Sequence, residues 1–149
     1  MVTLTRRFTA AIAVGAVLLA GCTTIPRDPD GTLDRVRATG VLRAGASPGG
    51  DLVEVDGDAV SGAEVDLVEG FAASVPARVE WRAGGEEELV AALERGELDI
   101  IAGGLTDQSP WADRVALTRP YAAGHVLAVP MGENATLFAL ESWLDARRP

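Results

Sequence analysis

The run Leu98-Asp99-Ile100-Ile101-Ala102 constrains the fold more than any other stretch of this sequence. It is short and mostly apolar, the signature of a strand buried inside a parallel sheet. Strand and helix patterns alternate around it. Val41 to Ala46 reads as a buried strand, Ala77 to Arg82 as an alternating one, and Gly124 to Val129 as the last. Val65, Leu67, Val68, Phe71 and Ala72 repeat at helical spacing, with Glu64, Asp66 and Glu69 expected outward. Leu89, Val90, Ala92 and Leu93 form the apolar side of a helix opened by Glu86-Glu87-Glu88, where acids favour the positive end of the dipole. A first helix follows Asp30 as N-cap and stops at Gly40. Asp56-Gly57 marks a hairpin within Leu52 to Ser61. Pro110 suits the first position of a helix. Asn134 to Arg147 reads as an amphipathic helix with Leu137, Phe138, Leu140, Trp143 and Leu144 inward. This alternation predicts an α/β fold, a mostly parallel sheet flanked by helices.

Composition narrows the chemistry. With 149 residues the chain makes one domain comfortably. Its 13 basic residues are all Arg, against 22 acids, for a net charge of −9. No basic cluster is present to neutralise phosphates, which argues against nucleic acid. The single Cys excludes an internal disulfide and a Cys-based zinc site, and the single His excludes a multi-His metal centre. Phosphate loops and dinucleotide fingerprints are absent from the sequence, so no cofactor is expected.

The first 21 residues read as an address. Arg6 and Arg7 precede the apolar run Phe8 to Ala20, which falls short of the roughly 20 apolar residues a spanning helix needs and suits a signal peptide. Leu19-Ala20-Gly21-Cys22 resembles a bacterial lipobox, which implies cleavage before Cys22 and a lipid on its sulfur. Thr23 to Asp30, with Pro26 and Pro29, reads as a tether. The expected organisation is a signal peptide over 1–21, a tether over 22–30 and one folded lobe over 31–149. After cleavage 11 Arg remain against 22 acids, an acidity that repels anionic headgroups.

Five segments carry a more specific resemblance: Gly40-Val41-Leu42-Arg43-Ala44-Gly45, Gly62-Ala63-Glu64-Val65-Asp66-Leu67, Leu89 to Asp99, Gly103-Gly104-Leu105-Thr106, and Leu117-Thr118-Arg119-Pro120-Tyr121. In this order and spacing they are similar to the first lobe of the family 3 extracellular solute-binding proteins, the receptors of amino-acid ABC transporters. The resemblance implies a type II periplasmic-binding-protein fold with a second lobe inserted after a hinge strand. Here Gly124 to Pro130 runs through Met131-Gly132-Glu133 straight into the closing helix, so a single lobe of that fold is expected. The resemblance also implies an extracytoplasmic location, an ABC permease as partner, and an amino-acid-like solute.

Candidate ligand residues follow from the rule that open α/β sheets bind at the carboxyl ends of their strands. Gly103-Gly104 permits close backbone approach or simply a tight turn. Thr106 and Ser109 supply hydroxyls, Ser109 being equally an N-cap for the helix at Pro110. The family's carboxylate-gripping Arg falls where this chain has Trp111. Arg114, three residues on, either substitutes for it or pairs with Asp113 or a neighbouring Glu. Ser47 and Glu86 end neighbouring segments, and Glu86 can meet an ammonium. His125 and Trp81 read as structural. A non-enzymatic binding lobe is therefore expected. A scaffold lipoprotein that binds no small molecule stands as the alternative, and a dehydratase-like enzyme as a distant third.

Overall fold

The computed structural model describes residues 25–148. Helix α1 (Thr32–Thr39) leads into strand β1 (Val41–Ala46) through Gly40. A small hairpin of β2 (Glu54–Asp56) and β3 (Ala59–Ser61) follows, then α2 (Ala63–Ser74), β4 (Arg78–Ala83), α3 (Glu86–Glu94) and β5 (Ile100–Ala102). Strands β6 (Val115–Leu117) and β7 (Ala128–Pro130) precede the closing helix α4 (Asn134–Asp145). The main sheet has the order β4-β1-β5-β7-β6. Strands β4 and β5 run parallel to β1, and β7 alone runs antiparallel to its neighbours. The expected α/β class and mainly parallel sheet are what the chain forms.

Helices cover both faces of the sheet, and the core divides accordingly. One cluster gathers Val36, Leu42, Val65, Val68, Phe71, Ile100, Leu127 and Leu140. The other gathers Leu89, Val90, Leu93, Leu98, Ile101, Val115 and Val126. All three residues of β5 are buried, which is why this strand is apolar throughout.

Four local expectations are corrected. No helix begins at Pro110. Trp111 carbonyl accepts from Arg114 and Val115 N–H in one turn, and the chain enters β6 at once. Phe138 is 59% exposed rather than inward. Glu64 is fully buried rather than outward. Asp30 does not cap α1: Gly31 occupies that position, and two other carboxylates, one local and one distant, take the orphan N–H groups. Asp28 Oδ2 accepts from Leu33 N–H at 3.0 Å, and Glu133 Oε2 accepts from Thr32 N–H at 2.9 Å. Asp28 Oδ1 also accepts from Ala135 and Thr136 N–H at the start of α4. The stretch read as the end of a tether is thus bonded to the lobe from Arg27, whose carbonyl accepts from Asn134 N–H.

Candidate functional site: a crevice at the carboxyl edge

Strands β1 and β5 end side by side and release two loops at the carboxyl edge of the sheet. Ser47 N–H donates to Ala102 carbonyl at 2.9 Å, holding the loops together. They pass so closely that glycine is required. A Cβ on Gly49 would sit 2.6 Å from Gly103 oxygen, and one on Gly103 would sit 2.9 Å from Ser47 Cβ. Gly103 therefore serves loop packing, and Ser47 lies buried beneath it, outside the open crevice. Gly104 adopts φ +66°, a left-handed conformation natural to glycine.

The N–H groups of this glycine corner are already engaged. Glu64 Oε2 accepts from Gly103 N–H at 2.8 Å and from Gly104 N–H at 2.9 Å. The Tyr121 hydroxyl donates to Glu64 Oε1 at 2.5 Å. Burial, and then this bond to Glu64, push the Tyr121 phenol upward. Glu64 is the residue that sequence reasoning missed. The signal was present: Glu64, Val68, Phe71 and Val75 share one helical face, and all are buried.

Beside the corner opens a cavity of about 170 Å³ lined by Glu86, Gly104, Leu105, Thr106, Gln108, Ser109 and Pro110. Four of the candidate residues therefore meet there. Thr106 Oγ1 accepts from Gln108 N–H at 3.3 Å, and Ser109 Oγ accepts from Trp111 N–H at 3.4 Å. Among the described residues neither hydroxyl donates its own proton to the protein, so both keep a donor for a guest. Glu86 stands at the start of α3, and its Oε2 accepts from Trp111 Nε1 at 2.8 Å. Its other oxygen is open. Trp111 thus fixes Glu86 rather than lining the cavity itself.

Arg114 does not join this group. Since β6 starts beside the end of β7, Arg114 falls toward the amino edge of the sheet and does not line the crevice. There it forms an ion pair with Glu94 at 2.5 Å and lies 5.4 Å from the Trp111 ring centroid. The bond to Glu94 raises the Arg114 pKa, and the bond to Arg114 holds the Glu94 carboxyl below its usual range. Cys22 lies outside the described residues. Among the described residues no group of three or more His, Cys, Asp or Glu is placed to hold a metal ion.

Residues 45–142 match the model of the bacterial extracellular solute-binding proteins, family 3. The membrane-bound lytic murein transglycosylase F of Vibrio campbellii is 30% identical over 106 residues, 70% of this chain and 20% of that protein. The chain thus spans about one fifth of the length of this curated relative. Among solved structures, the arginine-bound form of domain 1 from TmArgBP superposes with a TM-score of 0.69 at 23% identity, over 76% of this chain and 98% of that one. An ancestral cationic amino acid solute-binding protein gives a TM-score of 0.54 at 27% identity, over 60% of this chain and 40% of that one.

Proposed function

The chain belongs to the bacterial extracellular solute-binding proteins, family 3, and we propose that it is an extracytoplasmic lobe that captures an amino acid, with a cationic one the best fit. The cavity chemistry carries this reading. Thr106 and Ser109 offer free hydroxyl donors to a carboxylate, while the open oxygen of Glu86 faces a cationic group. The lining holds one acid and no base, so a cationic side chain adds attraction where a second carboxylate adds repulsion. Domain 1 from TmArgBP was solved in an arginine-bound form, and the ancestral relative is named for cationic amino acids. Both support the choice of arginine as first ligand.

In this proposal the chain binds without catalysing, and it is tethered through a lipid on Cys22. It delivers its solute to an ABC-type permease. Within the described residues β7 runs through Met131, Gly132 and Glu133 directly into α4, with no second lobe inserted between them, and we read this lobe as binding by itself. One wing supplies half the contacts of a closed clamp, so affinity is weak. Titration calorimetry across an amino-acid panel tests this. We expect arginine to bind in the high micromolar to millimolar range, about 4–6 kcal/mol, with Glu86→Gln and Thr106→Ala each weakening binding at least fivefold. Arg114→Ala leaves binding unchanged. An absence of heat for every amino acid at millimolar concentration rejects ligand capture.

One observation favours a second reading. The glycine-corner N–H groups are spent on Glu64, and half of Glu86 is spent on Trp111. A lobe with its donors used internally suits a scaffold lipoprotein that binds a protein partner and no solute. A stable partner in pull-down, together with a silent ligand panel, is its expected result.

A further inference from the structure

The arginines of this acid-rich chain are nearly all engaged. Arg35 and Arg43 share Asp99, Arg78 meets Glu80, and Arg82 bridges Glu88 and Glu97. Arg95 meets Glu97, Arg114 meets Glu94, Arg119 meets Glu141 and Asp145, and Arg148 meets Asp145. Arg147 stacks on Trp143 at 3.7 Å and donates to its carbonyl. Among the described residues Arg27 and Arg37 alone have no side-chain partner of this kind. No Asp or Glu precedes Asp28 in the sequence to supply one.

These two arginines line the same groove. It has a volume of about 390 Å³ and lies between the N-terminal segment and α1, walled also by Pro26, Asp28, Leu33, Asp34 and Ala135. Its two acids are offset locally. Asp28 spends its carboxylate on N–H groups at the starts of α1 and α4, and Asp34 sits in the first turn of α1. Helix N-termini carry partial positive charge and neutralise part of both acids. The guanidiniums are thus left with unused donors.

The groove lies at the amino edge of the sheet, opposite the crevice. Helix α1 follows this edge: Arg35 reaches Asp99 just before β5, Thr32 meets Glu133 just after β7, and Gly40 enters β1. Two large apolar side chains are exposed nearby, Ile25 at 73% and Met131 at 54%. Arg27 stands five residues after Cys22, a span of less than about 20 Å even when fully extended.

We propose that the Arg27–Arg37 groove docks on the phosphate of an anionic phospholipid headgroup, with Ile25 and Met131 turned toward the interface. The lobe then stands on the membrane by its amino edge and presents its crevice to the aqueous side. The inference rests on the reading that this chain works at a membrane surface. It does not depend on acylation or on ligand capture. The net negative charge opposes approach, but charges farther from the contact than a Debye length, about 10 Å at 0.1 M salt, are largely screened, so the local groove decides.

The test uses the unacylated chain from residue 22 onward with Cys22→Ser, which contains every described element. Co-sedimentation is measured with vesicles of phosphatidylcholine alone and with phosphatidylglycerol added. We expect binding only to the anionic vesicles, lost at high salt. Each basic group near such a surface strengthens binding about fivefold, so Arg27→Gln with Arg37→Gln weakens it at least tenfold. Arg78→Gln with Arg95→Gln, equally cationic but elsewhere on the surface, leaves it within twofold. Thermal melting of the Arg27/Arg37 variant stays at the parent value, since neither side chain bonds to the fold. Vesicle binding indifferent to phosphatidylglycerol or to the double substitution overturns the proposal. So does saturable binding of inorganic phosphate at these arginines without vesicle binding. Mass spectrometry of Cys22 and the calorimetric panel report separately on the anchor and the ligand.

Discussion

Glu64 is the position where a single atom swap tests the most of this structure. Its carboxylate has no exposure and accepts three hydrogen bonds, from Gly103 N–H, Gly104 N–H and the Tyr121 hydroxyl. Hydrogen bonds to a charged acceptor contribute about 1.5–3 kcal/mol each, and neutral ones about 0.5–1.5. In Glu64→Gln the amide oxygen keeps the two glycine N–H groups, and its NH₂ turns to a Tyr121 hydroxyl that must now accept. Three charged bonds become three neutral ones, a loss of about 3 kcal/mol. Removing a buried charge returns part of that, so the net cost is about 1–3 kcal/mol. Glu64→Ala is a poorer probe. It orphans three buried donors at about 1–3 kcal/mol each, which approaches the whole stability of a typical domain, about 5–15 kcal/mol. Urea unfolding of Glu64→Gln should show a lower midpoint with unchanged slope. Amide exchange at Gly103 and Gly104 should accelerate more than at Ala44 in the core. An unchanged midpoint with unchanged protection at both glycines would refute the assignment of Glu64 as the support of the corner.

Three further outcomes follow from the same geometry. Asp28→Ala removes acceptors from the starts of both α1 and α4; at about 1 kcal/mol or somewhat more per cap, thermal melting should report a loss of about 2–3 kcal/mol. Ala123 sits at φ +48° in the turn between β6 and β7, and Ala123→Gly relieves a left-handed cost of roughly 1–2 kcal/mol, so stability should rise by about 0.5–1 kcal/mol after the added entropy of glycine in the unfolded chain. Tyr121 is the sole tyrosine, and burial followed by the Glu64 bond raises its pKa. Ultraviolet titration should find no phenolate in the folded protein near pH 10, the ordinary value. The unfolded chain loses that proton near pH 10 while the folded chain keeps it, so this contribution is complete below pH 10 and stability falls as pH climbs past it.

The sheet and its helices were legible because apolar periodicity records burial directly. Leu98 to Ala102 and Leu89 to Leu93 have no other reason to be so apolar. The misreadings share a cause, inference from residue type where geometry decides. By its charge Glu64 reads as outward, although its spacing sets it on the face of Val68 and Phe71. Strand β6 is three residues with two only half-buried, too short for any period to register. Helical spacing from Trp111 offers Arg114 as the substitute for the family's Arg, and that spacing holds only inside a helix; of the two readings, the structure gives the pair with a Glu, Glu94. The chain turns once at Trp111 and enters β6, which puts the arginine toward the amino edge. By contrast Thr106, Ser109 and Glu86 were placed by the rule that strand ends release loops, and these three do converge.

The buried acids explain why a lobe of this composition holds its shape. Glu64 joins the glycine corner to Tyr121, and Asp99 joins α1 to β1 through Arg35, Arg43 and the Arg43 N–H. Glu133 takes the N–H groups of Asp30 and Thr32 from residues about a hundred positions away. Each of these carboxylates is buried, and the donors gathered on it replace the water it has lost. Such an arrangement is costly to assemble in part, because a half-satisfied buried charge is worse than none. Folding is therefore expected to be all-or-none across these junctions. Substitutions at Glu64, Asp99 and Glu133 should consequently lower stability without opening a populated intermediate, which coincident transitions by far-ultraviolet dichroism and tryptophan fluorescence would register. Separated transitions in any one of the three would show that its junction only decorates the fold.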